Sequence, residues 1–174
     1  ASVRNQRANR RAVMCDVSET SATWANVLPL YKNTIAAIRA RFDQEQGGHG
    51  YVGCHISHTY KTGACLYFTY AAKQILGNEL DQYYGYKTAI TDAIMASGGT
   101  LSHHHAVGYE HMPWMEQELS PRGVETLRAL KESMDPKGIL NPGKLIPPRP
   151  TAPEFAATTN GKDKAAVRKR DFGR

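Results

Sequence analysis

Apolar residues recur at helical spacing in some stretches of the chain and at alternate positions in others, and the order of these stretches predicts a fold. Val13, Cys15 and Val17 alternate across residues 11–17 and predict a strand with these three on one face. Thr20 or Ser21 offers an N-cap. Trp24, Val27, Leu28, Tyr31, Ile35, Ile38 and Phe42 then predict a helix to about Glu45, which Gly47-Gly48 stops. Tyr51 to Thr59 predicts a second strand, Lys61-Thr62-Gly63 a tight turn, and Ala64 to Ala71 a third strand paired with the second. In that third strand Leu66, Phe68 and Tyr70 share one face, and Cys65, Tyr67 and Thr69 the other. A second helix from about Asn78 to Ser97 turns Leu80, Tyr83, Tyr84, Ile90 and Ile94 inward. Gly98-Gly99 ends it, and Thr100 to His104 completes the pattern as a short fourth strand.

The order β-α-β-β-α-β predicts an α+β, ferredoxin-like split βαβ fold: a four-stranded antiparallel sheet with two helices on one face. The other face is then wetted or docked on something else, and it carries Tyr67 and the start of the histidine run. Beyond Gly108 the pattern changes. Residues 110–119 are expected to be helical despite Pro113, and Ser120-Pro121 is an N-cap and N1 pair opening an amphipathic helix through Val124, Leu127, Leu130 and Met134. Residues 135–148 are turn-rich and extended. Three segments follow: 1–108 as a ferredoxin-like domain, 109–148 as a helical segment, and 149–174 as a basic, loosely held tail with little to bury.

Composition narrows the function classes. The chain has 174 residues with 22% charged residues, enough for one domain with a proper core. Its net charge of +6 is concentrated at the ends, in Arg4, Arg7, Arg10 and Arg11, and in Lys162, Lys164, Arg168, Lys169, Arg170 and Arg174. Such runs can attract nucleic acid. No aromatics interleave with them and no Lys/Arg-Gly-Phe/Tyr motif occurs, so nucleic acid is not expected as a partner. A weak pull toward anionic membrane surfaces stays open. No apolar run approaches the roughly 18 residues of a membrane span, and no secretion signal is evident. Cys15, Cys54 and Cys65 form no CxxC motif and lie in extended, apolar stretches, as buried free thiols would in a reducing compartment. A cytoplasmic protein, at most peripheral to a membrane, is expected.

The candidate chemistry centres on His103-His104-His105, preceded by Gly98-Gly99-Thr100-Leu101-Ser102 and followed by Gly108. Imidazole titrates nearest neutrality, so it serves as acid, base or metal ligand. Three consecutive imidazoles after an extended segment project in different directions, and at least one faces any cavity at the strand end.

The motifs resemble the C-terminal part of FAD-dependent oxidases and transferases of the vanillyl-alcohol oxidase type, and within them the alkyldihydroxyacetonephosphate synthase-like branch. The matching stretches are Glu19-Thr20-Ser21 with Trp24, Thr59-Tyr60, Gly63 to Phe68, Gly98 to His105 with Val107-Gly108, and Asp135-Pro136 with Asn141 to Lys144. The resemblance implies exchange of the acyl group of acyl-dihydroxyacetone phosphate for a fatty alcohol, with FAD acting covalently rather than as a net redox agent. It implies Tyr67 as the acid/base near the substrate carbon, with His104 and His105 as substrate- and flavin-facing imidazoles. A phenol ordinarily titrates near about 10, so the histidines would assist it by hydrogen bonding. His103 and His58 are implied on the substrate side, and Asn141 beside the flavin ring edge.

No glycine-rich flavin loop occurs in the chain, so an N-terminal FAD-binding domain, on the same or a companion chain, is implied as partner. A lipid or small-molecule substrate is implied too, and a homodimer is compatible with the family. The alternative is an FAD-dependent oxidase or dehydrogenase of a 2-hydroxyacid or alcohol. That branch has Gly-Glu-His where this chain has His103-His104-His105, and its divalent-metal site is broken here, since Tyr51 and His104 replace two ligands and His58 alone survives. No metal is therefore expected, a zinc site from His55, His58 and the triple run being the alternative. The stretch Tyr109 to Met115 lacks the basic residues of the synthase pattern, which favours a less phosphorylated substrate.

Overall fold

The structure, a computed structural model, describes residues 12–149. The basic run at residues 1–11 and the expected tail beyond residue 149 lie outside the described residues. The described residues divide into two compact units, parting between His105 and Ala106.

The first unit is built on strand β1 (Val13–Thr23), helix α1 (Trp24–Gln46), a hairpin of β2 (Tyr51–Thr59) and β3 (Gly63–Lys73), and helix α2 (Glu79–Ala96). The sheet is antiparallel, in the order β1-β3-β2. It has three strands and not the expected four. Thr100 alone continues the edge of β1: its N–H donates to the Ser21 carbonyl at 2.9 Å, and its hydroxyl accepts the Ser21 N–H at 3.0 Å. The residues after it are irregular because their N–H groups turn away to a side chain, described below.

One sheet face packs on both helices. Leu66, Phe68, Tyr70 and Ala72 of β3 form the core with Leu30, Ile38 and Phe42 of α1 and Tyr86, Ile90 and Ile94 of α2. Leu80, expected inward, is 71% exposed, because the buried stripe of α2 runs through Gln82, Tyr86, Ile90 and Ile94. The phase of β1 also differs from the sequence pattern. Met14, Asp16, Ser18 and Thr20 share the helix face, and Val13, Cys15 and Val17 point to the other side. Lys87 of α2 neutralises Asp16 at 2.7 Å, and the Tyr70 hydroxyl donates to the same carboxylate at 3.0 Å. Lys87 also donates to the Val17 carbonyl at 2.7 Å. This bonding makes a polar strand face tolerable against a core.

β1 runs to Thr23, so α1 starts at Trp24 and not at Thr20 or Ser21. Gly47 ends α1 at a left-handed φ of 60°, as its position predicts. After α2 the chain passes at Gly99 through a space that only glycine fits. A Cβ there would lie 2.4 Å from Leu30 Cδ1 and 2.7 Å from Thr20 Oγ1.

The second unit holds a short 3-10 turn (Met112–Trp114) and helix α3 (Met115–Met134). Ser120 breaks α3 with φ 67° and ψ 160°, and its hydroxyl accepts the Gly123 N–H at 3.3 Å, so Ser120 caps the second stretch as its sequence predicts. Asp135 shapes the turn that follows: its carboxylate pairs with Lys131 and accepts the N–H groups of Ile139 and Leu140 at 3.1 and 2.9 Å. Among the described residues, no helix is long and apolar enough to cross a membrane.

The packing generates a stability prediction. Ile90→Ala empties a fully buried site and is expected to cost about 2–5 kcal/mol in denaturant unfolding. Leu76→Ser, at a side chain 77% exposed, is expected to cost less than about 0.5 kcal/mol.

Candidate active site

The sheet face turned away from the helices assembles the site by register. Residues opposite one another on antiparallel strands share a face. Glu19 on β1 lies opposite Tyr67 on β3, which lies opposite His55 on β2, so these three form one row. Ser21, Cys65 and His58 form the next row. A regular β2 would place His55 and Ser57 together on this face and turn His58 to the other. A β-bulge between Ile56 and His58 inserts one residue, and this re-aims His58 to the site.

Over this face lies the histidine loop, and a single carboxylate holds it. Glu19 Oε1 accepts the backbone N–H groups of His103 at 2.7 Å, His104 at 2.8 Å and His105 at 2.9 Å, together with the Ser102 hydroxyl at 2.7 Å. Successive N–H groups converging on one anion form a nest, a geometry that a strand ladder, with its alternating donors, does not allow. That is why residues 102–105 do not form the fourth strand. Glu19 is 3% exposed. Burial alone would raise its pKa, but the four donors outweigh it and lower the carboxyl to about 2.

The second carboxylate oxygen faces the imidazoles. Glu19 Oε2 lies 3.4 Å from His104 Nδ1 and 3.9 Å from His103 Nδ1, and it accepts the Cys65 S–H at 3.6 Å. Burial, joined by the charge of Glu19, pushes the Cys65 thiol above its ordinary range. Cys54 is half-buried and Cys15 exposed, so the expectation of three buried thiols holds for Cys65 alone.

Tyr67 is half-buried, with its ring flanked by three imidazoles. His55 lies 5.1 Å from it, His104 stacks at 6.2 Å, and His105 meets it edge-on at 5.1 Å. His103 is tied down: its Nε2 shares a hydrogen bond of 2.9 Å with the Tyr60 hydroxyl. The His58 ring packs 5.4 Å from those of both His103 and His104. The structure thus brings Tyr67, His58, His103, His104 and His105 together. Asn141 lies in the second unit, at a left-handed φ of 49° in the turn that closes with Gly143.

Sequence reasoning missed Glu19 and Cys65 as members of the site. Glu19 stood in the motif that carried the resemblance, yet one acid in a strand signals nothing until its partners are backbone amides.

Comparison with known proteins now decides the family. The profile of FAD linked oxidases, C-terminal domain, matches residues 2–145. The chain belongs to this family. It is 46% identical over 132 residues to an alkyldihydroxyacetonephosphate synthase of Dictyostelium discoideum, covering 76% of this chain and 21% of that protein. To the enzyme of that name from Trypanosoma brucei brucei it is 35% identical over 150 residues, covering 84% and 24%. An uncharacterised FAD-linked oxidoreductase of Escherichia coli (strain K12) is 29% identical, covering 75% and 27%. A solved alkyldihydroxyacetonephosphate synthase superposes with TM-score 0.53 at 35% identity, covering 75% of this chain and 20% of that one. The chain therefore spans between a fifth and somewhat over a quarter of the length of these relatives, and the cofactor of its family is FAD.

The Glu19 clip predicts a pH dependence. Its folded pKa is depressed from 4.5 to about 2, so its contribution is present in full above 4.5 and is lost as pH falls from there toward 2. That contribution is on the order of 3 kcal/mol. Glu19→Gln is expected to abolish this acid-side loss and to speed hydrogen exchange at the amides of His103, His104 and His105 at neutral pH. Unchanged exchange at those three amides would refute the clip.

Proposed function

We propose that this chain is the substrate-facing C-terminal part of an FAD-dependent alkyldihydroxyacetonephosphate synthase-like enzyme, which exchanges the acyl group of acyl-dihydroxyacetone phosphate for a fatty alcohol. One observation carries the reading: Tyr67 stands on the sheet face turned from the helices, its ring against those of His104 and His105, under a loop fixed by a buried carboxylate. Relatives 35–46% identical over most of the chain bear the synthase name, which supports the finer assignment.

The residues fit the ring end of FAD. His104 and His105 are exposed, flat and able to donate or accept at a ring edge, and Tyr67 packs beside both. Among the described residues no glycine-rich phosphate loop occurs, so the nucleotide end falls to an N-terminal FAD domain on the same or a companion chain. His105 would hold the ring; Asn141 is assigned to the ring edge by the resemblance alone. When bound, FAD supplies the electron-deficient ring that either acyl–alkoxy exchange or alcohol oxidation requires.

In this reading Tyr67 takes and returns a proton at its hydroxyl, and His104 and His105 stabilise the phenolate by hydrogen bonding. His103, bonded to Tyr60, and His58 border the substrate. Glu19 is not the base. A carboxylate near 2 that already accepts four donors has no proton affinity to offer at neutral pH. We assign residues 1–108 to the cap over the flavin, 109–148 to a segment returning to the flavin domain, and the enzyme to the cytoplasm or a membrane periphery.

A second reading is oxidation of a 2-hydroxyacid or alcohol. It is favoured by the Escherichia coli oxidoreductase relative and by the absence of Lys and Arg from Tyr109 to Met115.

The test uses the complete FAD-loaded polypeptide with acyl-dihydroxyacetone phosphate and a fatty alcohol. Fatty acid is expected to be released without oxygen uptake. Tyr67→Phe and His104→Ala are each expected to lower kcat by roughly 10²–10⁴-fold. Flavin bleaching by a hydroxyacid or alcohol, without acyl release, would move the protein to the second reading.

A further inference from the structure

We propose that His58, Cys65, His103 and His104 form a four-coordinate site for one zinc ion, and that filling it withdraws His104 from catalysis. The second half rests on the function proposed above; the first stands without it.

The geometry converges from three elements. Each of the four residues offers one ligand atom, and these atoms all lie within 4.8 Å of one another. Tetrahedral zinc, with bonds of about 2.0–2.1 Å to nitrogen and about 2.3 Å to sulfur, sets its ligand atoms about 3.3–3.6 Å apart. His103 Nδ1 and His104 Nδ1 already stand 2.9 Å apart. The remaining closure of about 1 Å falls to His58 and His104, which are exposed, whereas Cys65 is held rigidly in the central strand.

The surroundings suit ligation as well. His103 keeps its Nε2 on the Tyr60 hydroxyl at 2.9 Å, and His58 keeps its Nδ1 on the Ser57 hydroxyl at 3.1 Å. Each ring is thereby oriented by one nitrogen and left to coordinate through the other, as metal-bound imidazoles commonly are. Glu19 Oε2 adds a fixed negative charge 3.4 Å from His104 Nδ1 and 3.6 Å from Cys65 Sγ. Three imidazoles and a thiolate select zinc over calcium and magnesium, which require oxygen ligands.

Binding balances simply. Zn²⁺ enters, the Cys65 S–H proton leaves to solvent, and the thiolate takes up the fourth position. The site reuses the bulge that turns His58 inward, and its ligands differ from His55, His58 and the triple run, the set the sequence alone suggested. His55 packs tilted against Tyr67 and takes no part.

The test is zinc X-ray absorption on the complete FAD-loaded polypeptide, with bound zinc counted per chain and no substrate present. One zinc is expected, with one sulfur neighbour and the remainder nitrogen. Cys65→Ser is expected to remove the sulfur signal, and His58→Gln, at an exposed position that folding does not require, to weaken zinc binding by at least about tenfold. A sulfur-free shell in the parent protein, or zinc binding unchanged in His58→Gln, would overturn the site. Turnover, whichever substrate proves correct, is expected to fall on zinc addition and to return with a chelator. Zinc bound through sulfur with turnover unaffected would overturn the withdrawal of His104 and leave the assigned reaction untouched.

Discussion

A buried carboxylate receiving four donors on one oxygen is the interaction on which the rest of this molecule depends. Glu19 sits on an edge strand, under the chain that follows α2, where an unpaired charge would cost several kcal/mol. Three backbone N–H groups and a serine hydroxyl at 2.7–2.9 Å offset that cost. Hydrogen bonds to a charged group contribute roughly 1.5–3 kcal/mol each, so four of them outweigh the desolvation of one anion. The consequence is structural before it is chemical. Residues 102–105 trade a strand ladder for a nest, and a nest splays successive side chains where a strand would alternate them across a sheet. Three imidazoles therefore reach the same side of the molecule.

The sheet meets them with a matching row pattern. Register alone lines up Glu19, Tyr67 and His55, and the bulge beside Ser57 adds His58 to the row of Cys65. Each device is small: one inserted residue on β2, one carboxylate on β1. Both act on backbone geometry, and both place side chains that no single element carries. The opposite sheet face supplies the rigidity. Phe68 and Tyr70, neighbours of Tyr67 on the same strand, are fully buried against the helices. The candidate acid/base thus rides on the best-packed strand of the unit, so its position is fixed by the core and not by its own contacts.

Much of this was legible in the chain, and the failures have physical causes. Both long helices, the hairpin, the glycine stop at Gly47 and the cap at Ser120 follow from local signals that the tertiary structure leaves unopposed. The faces of β3 follow from alternation, because its buried side is uniformly apolar. β1 misleads for the opposite reason. Its core face carries Asp16, Ser18 and Thr20; Lys87 and Tyr70 satisfy Asp16 and the Thr100 carbonyl satisfies Thr20, while Val13, Cys15 and Val17 turn away. Alternation locates a strand, but it assigns the wrong face when burial is satisfied by long-range polar partners. The fourth strand fails on the same ground. Thr100 to His104 has strand-like composition, and only a carboxylate about 80 residues earlier in the chain diverts its donors. No local pattern encodes that pairing.

The same diversion underlies both proposed uses of the site. A carboxylate committed to four donors cannot act as a base, so in the proposed reaction proton movement falls to Tyr67 and the imidazoles beside it. Yet its second oxygen, facing His103, His104 and Cys65, draws together groups that share an affinity for protons and for soft cations. An imidazole hydrogen-bonds a phenolate through its N–H and binds zinc through the lone pair of its other nitrogen. The two uses of His104 ask one ring to serve two neighbours, Tyr67 and the Cys65 cluster, and the loop that Glu19 fixes holds it beside both.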